Sequence, residues 1–290
     1  MPGAMPGSAM KADGAAAETR NLDAALQRMR GDARVAFTLR SGITVLADLY
    51  QSGSAKIRLP KVYAGPPVAV LINTAGGITG GDRLTCEARV GAGAHAIVTA
   101  QAAERAYRSA GGTGMVTTNL HAQDGATLEW LPQETILFDA SALSRRLDAD
   151  LSGSARLLAV ESVILGRTAM GETLSRLAFR DRWRIRRDGR LVFADDIRLD
   201  GDPTTLLSGP ATAAGARAFA TVLDCAPDAP ERLALARDAL PRFSGRAAAS
   251  AWNGVLLARF VGPDARDLRS ALAAFLETYR AAALPRVWSC

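Results

Sequence analysis

The sequence of 290 residues predicts a mainly β protein of stacked or folded-over sheets, with a few helices toward the C-terminus. Three observations carry that expectation. Apolar and polar residues alternate with a period of two through much of residues 34–223. Glycine-containing turn signals punctuate those runs at short, even intervals. Helical periodicity appears only in the last third, and its absence between the strands argues against βαβ units.

The apolar run Ala69-Val70-Leu71-Ile72 reads as a strand and leads into Asn73-Thr74-Ala75-Gly76-Gly77-Ile78-Thr79-Gly80-Gly81-Asp82. Gly76, Gly77, Gly80 and Gly81 make this a shaped loop, since paired glycines allow a positive φ or a close backbone approach. Beyond it, Leu84, Cys86, Ala88 and Val90 alternate with Arg83, Thr85, Glu87 and Arg89. Residues 115–122, 127–131, 156–165, 174–185 and 191–199 follow the same period. Ser41-Gly42, Ser52-Gly53, Gly91-Ala92-Gly93, Asp124-Gly125, Ser152-Gly153, Asp188-Gly189 and Asp200-Gly201 supply turns. Asp228-Ala229-Pro230-Glu231 offers an N-cap for an amphipathic helix ending before Pro241. Asn253-Gly254 suits a type I′ hairpin turn between residues 247–252 and 255–261. A second helix is expected from about Pro263 to Ala283, with Leu268, Leu272, Phe275, Leu276 and Tyr279 as its buried stripe.

Composition narrows the function classes. Hydrophobic residues are 48% of the chain, enough for a folded core. No run approaches the roughly 18 apolar residues of a bilayer span, and the first residues lack the basic and apolar regions of a secretory signal. Cys86, Cys225 and Cys290 are odd in number and far apart, which predicts a reducing, cytoplasmic setting without a thiolate zinc site. His95 and His121 are the two histidines, too few to expect a tightly held transition metal. The net charge of +6 comes from arginines scattered among acids. In Arg180-Asp181-Arg182-Trp183-Arg184-Ile185-Arg186 the alternation sets Trp183 and Ile185 on one face and Arg182, Arg184 and Arg186 on the other. That favours an acidic protein partner over nucleic acid.

No phosphate loop and no Gly-x-Ser-x-Gly element occur. What recurs is an acid beside glycine or within an apolar run. Glu161 is the sharpest case, because Leu157 to Leu165 is otherwise nearly apolar and a carboxylate there must be paired or hydrated. Two readings stand side by side: a salt bridge to Arg105, Arg156 or Arg167, or a wet internal passage lined by carboxylates.

Several blocks, in order, resemble the urease accessory protein UreD (UreH) family. Asn73 to Arg83 resembles its glycine-rich signature, with Ala75 where many relatives carry proline. Thr99 to Ser109, Leu128 to Asp139, Leu165 to Glu172, Arg180 to Trp183 with Asp188 to Asp195, and Leu284 to Trp288 resemble further blocks. The resemblance implies a single domain over residues 31–290, a two-layered β-helicoid or solenoid-like body, with residues 1–30 as a flexible extension. It implies a nickel-insertion chaperone rather than an enzyme, which binds apo-urease and UreF, and UreG through UreF. Nickel would pass transiently through a tunnel, with no cofactor bound tightly. Asp82, Glu104, Glu134, Glu161, Glu172 and Asp195 are then the candidate conduit or positioning residues. Two other classes remain open: a glycan-active β-solenoid enzyme using carboxylates such as Asp82 and Glu134, and a basic nucleic-acid-binding module.

Overall fold

A computed structural model describes Gly3, residues 27–167 and residues 171–289. Most of the expected N-terminal extension lies outside the described residues, as do Thr168, Ala169 and Met170 of the fourth block. β1 (Arg30–Arg40) and β2 (Ile43–Gly53) form an antiparallel hairpin. β3 (Ala55–Arg58) pairs antiparallel with β4 (Val68–Asn73). From β4 the chain winds between two sheets. β5 (Arg83–Val90) lies beside β1 in the first sheet, and β6 (His95–Ala100) beside β4 in the second. The short β7 (Glu104–Ala106) leads back to β8 (Gly114–Ala122) beside β5, and β9 (Thr127–Leu131) lies beside β6. The short β10 (Thr135–Leu137) precedes β11 (Ala142–Leu151) beside β8, then β12 (Arg156–Leu165) beside β9, then β13 (Leu177–Arg187) beside β11. All these winding pairings are parallel. They produce the two-layered, solenoid-like body that the sequence predicts.

β14 (Arg190–Gly201) closes the first sheet antiparallel to β13. After α1 (Pro203–Leu207), β15 (Ala218–Cys225) joins β12 antiparallel and extends the second sheet. α2 (Leu233–Asp238) follows, then the hairpin of β16 (Arg246–Trp252) and β17 (Val255–Gly262), then α3 (Ala265–Arg280). No helix among the described residues is long and apolar enough to cross a membrane.

The burial pattern explains the sequence pattern. The second sheet has a core on both faces: the gap between the sheets on one side, and α2 and α3 on the other. Strands buried on both faces read as continuous apolar runs, as β12 does. The first sheet turns its outer face to water, so β13 alternates strictly, with Phe179, Asp181, Trp183 and Ile185 inward and Arg180, Arg182, Arg184 and Arg186 outward.

Turns are short at one end of the winding and long at the other. The short turns bond to each other, for example Gly93 N–H to the Asp124 carbonyl (3.0 Å) and Ser154 N–H to the Asp124 carboxylate (2.7 Å). The long turns hold the motif-like blocks, and they too are laddered. Ile78 N–H donates to the Arg105 carbonyl (2.7 Å) and Tyr107 N–H to that of Ile78 (2.8 Å), while β10 pairs with both β7 and the end of β12. Blocks spread over a hundred residues of sequence therefore meet at one end of the molecule. The C-terminal segment is pinned near the same place: Trp288 Nε1 donates to the Leu131 carbonyl (3.1 Å) and Gln133 Nε2 to that of Val287 (3.1 Å).

Several boundaries differ from the sequence expectation. The strand expected from residue 174 starts at Leu177, because Ser175 and Arg176 spend their backbone N–H groups on Asp139. Asp228 does not cap a helix. Its carboxylate pairs with Arg156, residues Ala229–Arg232 form a 3₁₀ turn, and α2 is shorter than expected. α3 begins after the cap residue Asp264, which accepts from Asp267 N–H (2.9 Å), and stops at Ala281 in the left-handed region. Asp200-Gly201 is not a turn but the end of β14, opposite Leu177 and Ala178. The Asn253-Gly254 turn has both φ values positive, as a type I′ hairpin requires.

Within the glycine loop the constraint differs by position. Gly76 has φ +76° but open space around it, whereas a Cβ on Gly80 would collide with Ser109 and the Gly111 carbonyl and come within 2.6 Å of the Gly112 carbonyl. Gly76→Ala should therefore cost only left-handed strain, about 1–2 kcal/mol. Gly80→Ala should cost more, because it separates two long turns. Denaturant melts of the two variants check the order.

Candidate functional site

The gap between the sheets is not filled throughout. A cavity of about 190 Å³ runs across the strands, walled by Cys86, Thr118 and Leu147 from the first sheet and Ala100 and Trp130 from the second. It reaches the exposed residues Gly76, Gln101 and Ala102 at the long-turn end. Ala159 of β12 and Leu147 of β11 belong to one apolar cluster, and Val163 and Leu143 to another. Between them on the same inward faces stand Glu161 and Arg145. A polar seam thus separates two apolar cores.

Arg145 holds that seam together. Its Nη1 donates to Glu161 Oε2 across the gap (2.6 Å) and to Thr135 Oγ1 (2.9 Å). Its Nη2 pairs with Asp181, which sits directly opposite on β13. Trp130 Nε1 donates to the other Glu161 oxygen (2.9 Å). The guanidinium carbon lies 5.4 Å from the Phe179 ring centre. Glu161 keeps 13% of its side-chain exposure while lining the cavity. The two readings of Glu161 therefore merge: it is an ion-pair member in the wall of a cavity. Its partner is Arg145 rather than Arg105, Arg156 or Arg167. Arg156 is taken by Asp224 and Asp228, and Arg167 by Glu172.

Of the candidate acids, Glu104 and Glu161 line the cavity and the others do not. Glu104 sits toward its long-turn end, where Asn73 Nδ2 donates to both carboxylate oxygens (3.2 and 3.1 Å). Asp82 is a loop latch: its oxygens accept from Met29 N–H and Thr79 N–H, each at 2.8 Å. Glu134 pairs with Arg269 in a separate small crevice beside Trp288. Glu172 ties Asp139 N–H and Arg167 N–H together, and Asp195 pairs with Arg259. Asp82 and Glu134 therefore do not meet as the open pair that glycoside hydrolysis needs.

Burial raises the Glu161 carboxyl above its ordinary value; Arg145 pulls it down and Asp181 pushes it further up. Burial likewise raises Glu104, against the opposing hydrogen bond of Asn73. The Cys86 thiol is pushed up to about 12, first by burial and then by the charges of Glu104 and Glu161. Without a metal it stays protonated at neutral pH. Among the described residues no group of three or more His, Cys, Asp or Glu is placed to hold a metal ion. The wall offers hard oxygen donors and one buried guanidinium bridging two carboxylates.

Arg145, Asp181, Trp130 and Thr135 escaped the sequence reading. A signal for two of them exists. Leu143-Ser144-Arg145-Arg146-Leu147 puts Arg145 in the apolar phase, and Phe179-Arg180-Asp181-Arg182-Trp183 does the same for Asp181. A charge in the buried phase of a strand needs an opposite charge nearby.

The profile described as UreD urease accessory protein matches residues 29–289. The protein named urease accessory protein UreD from Xanthobacter autotrophicus is 47% identical over 264 residues, covering 91% of each chain. That of Rhizobium rhizogenes is 46% identical over 276 residues, covering 95% of this chain and 98% of its own. That of Dinoroseobacter shibae is 48% identical over 276 residues, covering 93% and 96%.

Two substitutions check the electrostatics. In Glu161→Gln one of the two donors, Trp130 or Arg145, loses its acceptor, which should cost roughly 1–3 kcal/mol in a melt. Glu104 is checked through its titration. Its folded pKa lies above the unfolded value of 4.5, so the native state binds more protons and stability falls as pH rises from that value through the raised pKa. Glu104→Gln removes that loss and keeps an acceptor for Asn73. The melting temperature of Glu104→Gln relative to wild type should therefore climb between pH 4 and pH 7.5.

Proposed function

Because the chain belongs to the UreD urease accessory protein family, we propose that it serves urease maturation as a conduit, with the cavity between its sheets as the path of nickel. Its relatives are named accessory proteins, and its role is read as assembly rather than catalysis. The partners in this reading are apo-urease, UreF and, through UreF, UreG, acting in the cytoplasm.

The observation that carries the reading is the polar seam. A sandwich core gains most by filling its gap with apolar side chains, and a buried ion-pair cluster is at best a neutral replacement for them. Here the gap keeps Glu161, Asp181, Arg145 and Thr135 in one layer and leaves a cavity beside them that extends to the long-turn end. Carboxylate, hydroxyl and carbonyl oxygens suit a hydrated divalent cation, and donor sets poor in His and Cys hold nickel weakly. Weak holding is what a conduit requires, since its cargo must leave.

Blocking the path tests this. Thr118 is 3% exposed and lines the cavity, so Thr118→Phe places a ring where the cation would pass. The variant is expected to fold and to co-purify with urease from cells expressing the whole urease gene set, while nickel per urease falls several-fold. Normal nickel loading by a variant that folds and assembles normally would end the conduit reading.

A further inference from the structure

We propose that Arg145 is a displaceable counter-cation: between Glu161 and Asp181 it occupies the place a divalent cation takes in transit, and so keeps the cavity from retaining its cargo. This deepens the conduit reading and rests on it.

The geometry is that of an occupied cation site. Asp181 stands in register beside Arg145 on the next strand, Glu161 reaches it across the gap, and Thr135 adds a hydroxyl. Two carboxylates and a hydroxyl from three strands thus meet on one guanidinium, Glu161 and Thr135 at Nη1 and Asp181 at Nη2. The occupant is a guanidinium rather than a metal.

Its hold is incomplete. A guanidinium has five N–H donors, and three hydrogen bonds to the protein are made, to Thr135, Glu161 and Asp181. Arg145 Nε has no acceptor among the described residues although Arg145 is only 6% exposed. The guanidinium is therefore held to the seam by fewer contacts than it can make. Phe179 gives the displaced guanidinium a ring face to lie against, so it need not leave the seam.

Charge makes the occupancy transient. With both carboxylates ionised the arginine leaves one negative charge uncompensated, which draws a cation in. Once a dication sits between the carboxylates, the displaced guanidinium remains beside it. Like charges in a poorly solvated space repel, and that repulsion drives release. Removing the arginine should therefore turn a path into a trap.

Arg145→Met keeps the bulk of the stem and removes the charge. Tag-free wild type and variant are compared by Ni²⁺ titration calorimetry and by melting with and without NiCl₂. Wild type is expected to take up no stoichiometric Ni²⁺ and to show no shift. The variant should melt lower without metal and bind about one Ni²⁺. At a hundredfold excess over its Kd, Ni²⁺ should raise the variant's melting temperature by roughly 5 °C. Arg145→Met combined with Glu161→Gln and Asp181→Asn should lose both the binding and the shift. A folded Arg145→Met that binds Ni²⁺ no better than wild type, or a triple variant that binds as well as the single one, overturns the proposal. If Arg145→Met does not fold, Arg145→Lys takes its place. Its ammonium satisfies one carboxylate at a time, so it is expected to bind Ni²⁺ at least tenfold more tightly than wild type, and equality with wild type overturns the proposal. These measurements use the isolated protein, so their failure is separate from failure of the conduit reading, which nickel loading by Thr118→Phe decides.

Discussion

Parallel neighbours cannot be joined by a hairpin, and this constraint organises the whole molecule. Most proteins meet it with a helix laid across the sheet. Here each connection becomes a strand of the other sheet, so the crossover and the opposing layer are the same residues. The outcome is a gap bounded by two sets of mostly parallel strands, with long turns at one end and short ones at the other. Inward side chains of β5, β8, β11 and β13 share apolar clusters with those of β6, β9, β12 and β15. A charge placed inward on one sheet must therefore be answered within its own sheet or from the sheet opposite.

Arg145 is answered from both directions, by Asp181 in its own sheet and by Glu161 across the gap. Taking away the shared arginine would leave two buried carboxylates uncompensated, typically about 3–5 kcal/mol, while replacing the whole cluster by apolar groups is often neutral. Stability alone gives no reason to keep it. A second buried cluster makes a useful contrast. Asp224, fully buried, accepts from Arg156, Arg232 and the Tyr279 hydroxyl, and so clamps α3 and the turn before α2 to β15. That cluster binds elements to one another. The seam around Arg145 stands beside open space, and its chemistry faces that space.

Much of this was legible in the sequence, and the limits have physical causes. Period-two alternation marked β5, β8 and β13 because one face of the first sheet meets water. β12 read as an apolar run because both its faces are covered, and Glu161 stood out against that run. Its partner did not, because the pairing of residues 145 and 161 depends on which inward faces oppose each other across the gap. Strand period alone does not encode that register. The glycine loop announced itself, yet Asp82 within it proved to be a latch for the backbone of Met29 and Thr79. An acid in a motif looks the same in sequence whether it faces a cavity or caps a turn. The helix expected to start at Asp228 is shorter because its cap residue serves Arg156.

The pinning of the C-terminal segment bears on how the chain reaches this state. Trp288 closes on Leu131, 157 positions earlier, and Val287 on Gln133, 154 positions earlier. Gln133 also lines the cavity. The middle windings therefore leave the ribosome well before the residues that seal them. Until those residues arrive, the apolar outer face of the second sheet lacks α3 as its cover. Contacts this distant in sequence form late and slowly, and the waiting sheet is open to aggregation. Synthesis imposes an interval in which the protein itself needs shelter before it can assist another.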